Sequence, residues 1–123
     1  MLKILTNEEI YFIGSQLNKI FDETCQYLPA KVNFYIQKNK KKIVDLAMEI
    51  EQARINIIQN FGEPTDEGKY FIPKENILLA QKELNDLLNI KQEIEIYLIS
   101  INDIENLQFT LPQMEALMFM IEE

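Results

Sequence analysis

The sequence predicts a mainly α fold of the α+β class. It reads as a single helical domain over residues 1–123, with a long second helix in a helical hairpin or coiled-coil-like pairing. A small two- or three-stranded sheet and a short C-terminal helix complete it. Three observations carry this reading. No helix breaker interrupts residues 30–61, isoleucine recurs there every seven positions, and one later segment, "KQEIEIYLISI", alternates with the period of a strand. At 123 residues and 47% hydrophobic content, the chain suffices for one domain with a real core and is too short for two of ordinary size.

Thr6 followed by Glu9 forms a capping box, and Ile10, Ile13, Leu17, Ile20 and Phe21 recur at helical spacing, so a first helix is expected to run to about Tyr27. Pro29 suits the first turn of the next helix. Gly62 is expected to supply a left-handed stop, and Pro64 prevents resumption. Within this second helix Ile36, Ile43, Ile50 and Ile57 form one row of a heptad seam, with Asn39, Leu46, Ala53 and Asn60 beside it. Such a helix is about 48 Å long, against a diameter of roughly 35 Å for a compact domain of this size. It either folds back on its neighbours or pairs with a second copy, and the seam favours a homo-oligomer.

"EPTDEGKYFIP" reads as a turn at Asp66 to Gly68 and a short extended piece, Tyr70 to Ile72, closed by Pro73. A third helix follows, with Ile77, Ala80, Leu84, Leu87 and Leu88 on its apolar face and Asn89 at its end. In the strand over 92–101, Ile94, Ile96, Leu98 and Ser100 face one way and Glu95, Tyr97, Ile99 and Ile101 the other. Its pairing partner is open among Tyr70–Ile72, Leu107–Phe109 and the same strand of a second subunit. Thr110 and Gln113 form a second capping box with Pro112 just inside it. The last helix then carries Leu111, Met114, Leu117, Met118 and Ile121.

Composition excludes most catalytic templates. The chain has no His, no Trp, one Cys and three isolated Gly, so nucleophile–imidazole pairs, imidazole metal ligands and Gly-rich phosphate cradles are all missing. A non-enzymatic protein without cofactor or metal is expected. The apolar runs are too short to span a bilayer and the start "MLKILTNEE" lacks a leader's apolar stretch, so no membrane association and a cytoplasmic location are expected. Cys25 reads as a small buried hydrophobe. Glu93/Glu95 and Asp103/Glu105 read as solvated surface, and the methionines around Phe119 as core or subunit interface.

Against a net charge of −8, "IQKNKKKI" gathers Lys38, Lys40, Lys41 and Lys42 within five positions. Pairing with the chain's twenty acids across a helical interface is the better-supported reading. The alternative is a ligand site. Lys31, Tyr35, Lys38 and Lys42 share one stripe of the helix, with Phe34 and Asn39 adjacent, so cations, a ring and an amide can converge on a small anionic nucleotide. Arg54, the only guanidinium, completes this candidate ligand-binding set of Lys31, Tyr35, Lys38, Asn39, Lys42 and Arg54, although pairing with Glu49 or Glu51 is its simpler role. A body at −8 disfavours nucleic acid. Asn39 and Asn60, at seam positions, read as register-setting polar residues, and on that reading Asn39→Leu raises stability or changes the subunit count.

"LPAKVNFYIQKNKKKI", the long helix ending in "NFGE", "EIEIYLISI" and the closing "QMEALMFMIEE" together resemble a family of short, functionally uncharacterised proteins of tailed phages that infect Gram-positive bacteria. The resemblance covers most of the chain in the same order and supplies no catalytic residues. It implies a phage accessory role in the host cell cytoplasm with a host or phage protein as a further class of partner. Either the protein counteracts host defence, by sequestering a nucleotide-like signal or occupying a host factor, or it is a head- or tail-assembly chaperone acting through its Met-rich last helix or an exposed strand edge.

Overall fold

The computed structural model describes residues 1–20 and 28–122. The expectations for Phe21, Cys25 and Tyr27 lie outside these residues. The fold is mainly α with small two-stranded sheets, built around one long helix.

Strand β1 (Leu2–Thr6) opens the chain and passes directly into helix α1 (Asn7–Ile20). The capping box forms as expected: Glu9 Oε1 accepts from Thr6 N at 3.0 Å, and Glu9 N donates to Thr6 Oγ1 at 3.1 Å. Ile10 and Leu17 are fully buried. Between them, Gly14 lets α1 approach the long helix closely, since a Cβ there would lie 2.9 Å from Ala47 Cβ.

Helix α2 (Ala30–Phe61) has 32 residues, and Val32, Ile36, Asn39, Ile43 and Ile50 are its buried face. The isoleucine seam therefore exists, but most of it closes within one chain. Helices α1 and α3 (Ile77–Leu88) are the main elements packed along α2, which is the hairpin alternative rather than a seam reserved for a second copy. Towards its end the seam opens. Ile57 is half-buried and Asn60 exposed.

The left-handed stop at Gly62 does not occur. Gly62 is extended, at φ −105° and ψ 168°, because the chain leads straight into strand β2 (Glu63–Pro64). Glycine is required there for space: a Cβ would lie 2.7 Å from the Ile58 carbonyl oxygen. β2 pairs antiparallel with β3 (Tyr70–Phe71), and the intervening turn places Gly68 at φ +75°, a conformation glycine adopts without steric cost. A short 3₁₀ turn (Lys74–Asn76) after Pro73 leads into α3, which ends at Asn89 as the sequence predicts.

The expected strand over 92–101 is divided. Strand β4 (Lys91–Glu95) stops before Ile96, and only Ile99–Ser100 resume as β5, followed by the one-turn helix α4 (Ile101–Ile104). Alternation holds for Ile94 and Ile96, both buried, and fails at Ile99, which is also buried. The division has a local cause. Asn39 on α2 holds both peptide groups of Tyr97, through Asn39 Nδ2 to Tyr97 O (2.8 Å) and Tyr97 N to Asn39 Oδ1 (2.9 Å). A side-chain amide thus stands where a neighbouring strand would.

Within the chain, neither Tyr70–Ile72 nor Leu107–Phe109 pairs with this segment. β4 runs antiparallel to β1, with Leu2 opposite Glu95 and Thr6 opposite Lys91, whereas β5 runs parallel to β6 (Ile121–Glu122). A second buried amide secures the first of these junctions. Asn7 Nδ2 donates to Leu87 O (2.8 Å) while its Oδ1 accepts from Gln92 Nε2 (2.6 Å), tying the start of α1 to α3 and β4.

Helix α5 (Leu111–Leu117) begins with the second capping box, Thr110 Oγ1 accepting from Gln113 N and Gln113 Oε1 accepting from Thr110 N. It ends sooner than expected, in a 3₁₀ turn (Met118–Met120), because the chain must straighten to pair as β6. Ala116, Leu117 and Met120 are core. Among the described residues no helix is long and apolar enough to cross a membrane.

Candidate functional site

The first four turns of α2 place Lys31, Phe34, Tyr35, Lys38 and Lys42 on one side of the helix, at spacings of three, four and seven. Tyr97, in the irregular stretch that Asn39 anchors, completes the group. Tyr35 and Tyr97 stack at 5.3 Å between centroids and 27° between planes, while Phe34 meets Tyr97 edge-on at 6.4 Å and 78°.

Each ring carries a lysine. Lys31 Nζ lies 5.9 Å from the Tyr35 centroid, Lys38 Nζ 5.4 Å from Phe34, and Lys42 Nζ 5.6 Å from Tyr97. Exposed cation–ring pairs of this kind contribute about 0.5–1 kcal/mol each. Two of the cations have further partners: Lys31 pairs with Asp103 at 3.3 Å, and Lys42 donates to the Glu95 carbonyl at 2.8 Å. Within this chain Lys38 and Lys42 turn to rings and backbone, whereas Lys31 pairs with an acid, Asp103.

Phe34 and Tyr97 remain 53% and 40% exposed, so the cluster is open to solvent. Beside it lies a concavity of about 280 Å³ lined by Met1, Tyr35, Glu95, Ile96, Tyr97 and Leu98. The Met1 ammonium is 2.9 Å from Glu95 Oε1, and this hydrogen bond, reinforced by the ammonium's charge, holds the Glu95 carboxyl below its ordinary range. The local field is mixed. Cations dominate over the rings of α2, and one carboxylate marks the far rim.

Of the residues singled out from sequence, Lys31, Tyr35, Lys38 and Lys42 come together. Asn39 lies beneath them, fully buried, with its amide committed to Tyr97 and its Nδ2 also 3.4 Å from Met120 Sδ, so it supports the cluster without reaching a ligand. Arg54 does not belong to the cluster. It stands twelve positions beyond Lys42, about 18 Å further along the helix. There its Nη2 and Nε contact Glu51 at 2.6 and 2.9 Å. That pairing holds the Glu51 carboxyl below its usual range, and the hydrogen bond from Tyr11 to Glu51 raises the Tyr11 phenol. The alternation places Tyr97 only on the strand face shared by Glu95, Ile99 and Ile101. The available signal is an aromatic beside a carboxylate, Glu95, on that face.

Among the described residues, no three His, Cys, Asp or Glu side chains group as metal ligands. Comparisons with protein-family models, with curated proteins and with solved structures give no match for this chain.

Proposed function

We propose that the protein acts by binding rather than catalysis, and that its ligand is anionic and carries a flat ring, as a nucleotide does. The observation that carries this reading is the cluster on α2, in which three rings each hold a lysine within 6 Å while Phe34 and Tyr97 stay open to solvent. A phosphate set between the Lys38 and Lys42 ammonium groups, one helical turn apart, leaves its ring free to lie against Phe34 or Tyr97. Nothing in the cluster resembles a nucleophile with an adjacent base. Its nearby carboxylates, Glu95 and Asp103, are both engaged with cations.

Set beside the resemblance to short phage proteins, this reading makes the chain a cytoplasmic anti-defence protein that sequesters a nucleotide-like immune signal, or uses the same surface to occupy a host factor. The alternative, a morphogenesis chaperone, draws on the Met-rich C-terminal segment. Leu111 and Met118 are indeed exposed there, at 72% and 66%, but Leu117 and Met120 are spent on the core, which leaves little surface for a client.

Lys38→Glu is the cleanest test, because Lys38 contacts a ring on an exposed turn whereas Lys42 also caps the Glu95 carbonyl. Calorimetric titration with adenosine monophosphate, a cyclic dinucleotide and inorganic phosphate should show ring-bearing ligands binding more tightly than phosphate alone. Lys38→Glu should then weaken that binding by about tenfold or more. Binding unaffected by Lys38→Glu removes this site from the proposal, and a loss on truncating the exposed side chains of Leu111 and Met118 to Ala in a phage-protein pull-down favours the chaperone.

A further inference from the structure

The concavity beside the lysine and ring cluster has a single carboxylate among its walls. Apart from Glu95, the side chains that line its volume of about 280 Å³ are those of two tyrosines and three apolar residues. Ligand pockets commonly measure about 300–1,000 Å³, so a space of this size suits a flat base rather than a whole nucleotide.

The backbone sets Glu95 beside Tyr97. The two lie two positions apart on a stretch that stays extended past β4, where the Ile96 N–H donates to the Met1 carbonyl at 2.9 Å. Both side chains therefore project to one side, while Ile94 and Ile96 are buried on the other. Lys42 Nζ lies 2.8 Å from the Glu95 carbonyl and 5.6 Å from the Tyr97 centroid. A base resting against Tyr97, with its phosphate at Lys38 and Lys42, thus turns its free edge towards the Glu95 carboxylate.

A carboxylate is an odd rim for an anion site, because it repels the phosphate that the lysines attract. The Met1 ammonium occupies only part of it. Glu95 Oε1 accepts from that ammonium at 2.9 Å, whereas Oε2 accepts from none of the described residues, and the side chain is 60% exposed. The hydrogen bond and charge of the Met1 ammonium, with the Lys42 charge, keep the carboxyl ionised at neutral pH. An ionised carboxylate only accepts, so it selects a ligand edge made of donors.

Among the common bases, guanine sets N–H donors side by side on its pairing edge, at N1 and the 2-amino group. Adenine and cytosine place a bare ring nitrogen next to their amine, and uracil places its one N–H between two carbonyl oxygens. Their lone pairs would face the carboxylate, an element of repulsion that discriminates against them.

We infer that the ligand is a guanine nucleotide, its base lying in the concavity against Tyr97 and donating from N1 and the 2-amino group to the two carboxylate oxygens of Glu95. This rests on the proposed binding function and adds Glu95 to it as the residue that determines specificity.

Calorimetric titration of the full chain with guanosine, inosine and adenosine monophosphates tests it. The guanosine nucleotide should bind about tenfold more tightly than the adenosine nucleotide, with the inosine nucleotide, which keeps N1–H but lacks the amine, in between. Glu95→Gln replaces one acceptor with a donor at an exposed position. It should leave circular dichroism unchanged, weaken the guanosine nucleotide about tenfold, and leave the adenosine nucleotide bound as tightly or more so. Equal affinities for guanosine and adenosine nucleotides in the wild type overturn the inference while the binding function stands. A guanine preference that Glu95→Gln retains overturns it too, by moving the readout to another group. Binding of none of the three overturns both the inference and the function beneath it.

Discussion

Asn39 and Tyr97, 58 positions apart, are joined by two hydrogen bonds in which the Asn39 side-chain amide pairs with the Tyr97 backbone as a strand would, at 2.8 and 2.9 Å. This one contact accounts for several features at once. It ends β4, turns the following residues towards β5, and brings the Tyr97 ring onto the lysine-bearing side of α2. The residue whose position in the heptad suggests a register device within a coiled coil instead sets the register of a loop against a helix.

Asn39→Leu should therefore destabilise the protein, contrary to what its seam position suggests. Leucine fills a similar volume but leaves the N–H and C=O of Tyr97 without partners, at about 1–3 kcal/mol for each group that water does not reach. A loss of about 2–4 kcal/mol in chemical denaturation is expected. A variant as stable as the wild type would show that the amide pairing contributes nothing.

Gly62→Ala should cost about 1–3 kcal/mol although the backbone there is extended and open to any residue. Its methyl would lie 2.7 Å from the Ile58 carbonyl oxygen, which belongs to the last turn of α2 and cannot swing aside as a side chain can. Gly68→Ala acts by a different route, through the φ of +75°, and should cost on the order of 1 kcal/mol with no clash at all. Thermal unfolding of both variants separates the two mechanisms if a wider spread of substitutions is made. At position 62, Ser and Val should be worse than Ala, while at 68 Asn should be better.

The two capping boxes make a matched pair. Thr6→Ala and Thr110→Ala should each lower stability by about 1 kcal/mol, and Thr6→Ser and Thr110→Ser by much less, because the hydroxyl is what accepts from the Glu9 and Gln113 amides. Equal losses for Ala and Ser would attribute the effect to the lost methyl rather than to the cap.

Glu51 should make stability depend on pH. Its carboxyl is held below the ordinary range, first by the Arg54 hydrogen bond, so its contribution is fully present above the ordinary carboxylate pKa of 4.5 and is lost as pH falls through the depressed folded value. Tyr11 runs the other way. Its phenol is raised above 10.0 by Glu51, so its contribution is present below that pH and is lost as pH rises through the folded value. In Arg54→Ala, an NMR titration should show the Glu51 midpoint moving up towards 4.5. A midpoint that does not move would mean that Arg54 is not what depresses it.

The helices were legible because their signals are local. Thr6 with Glu9, Pro29, the unbroken run to Phe61, Asn89, and Thr110 with Gln113 each mark an end through neighbours within four positions. What stayed hidden depends on distant partners. β1 has only five residues and gains its identity from β4, and the division of the strand at Ile96 is imposed by an amide on another element. The Gly62 geometry was misjudged because a glycine after a helix signals a left-handed stop unless a strand follows at once. Four of the six anticipated ligand residues converge because helical spacing alone aligns them. Arg54 was grouped with them by charge, and Asn39 by adjacency, which cannot reveal that its amide is buried.

Under the proposed function, the cluster of Lys31, Phe34, Tyr35, Lys38, Lys42 and Tyr97 holds an anionic, ring-bearing ligand. Native mass spectrometry of the protein purified from ordinary cells and from cells with an active nucleotide-signalling defence, each alongside Lys38→Glu, tests this. An added small-molecule mass on the wild type from the second source, absent from Lys38→Glu, is the predicted result. Bare chains from both sources, or an added mass that Lys38→Glu retains, would contradict it.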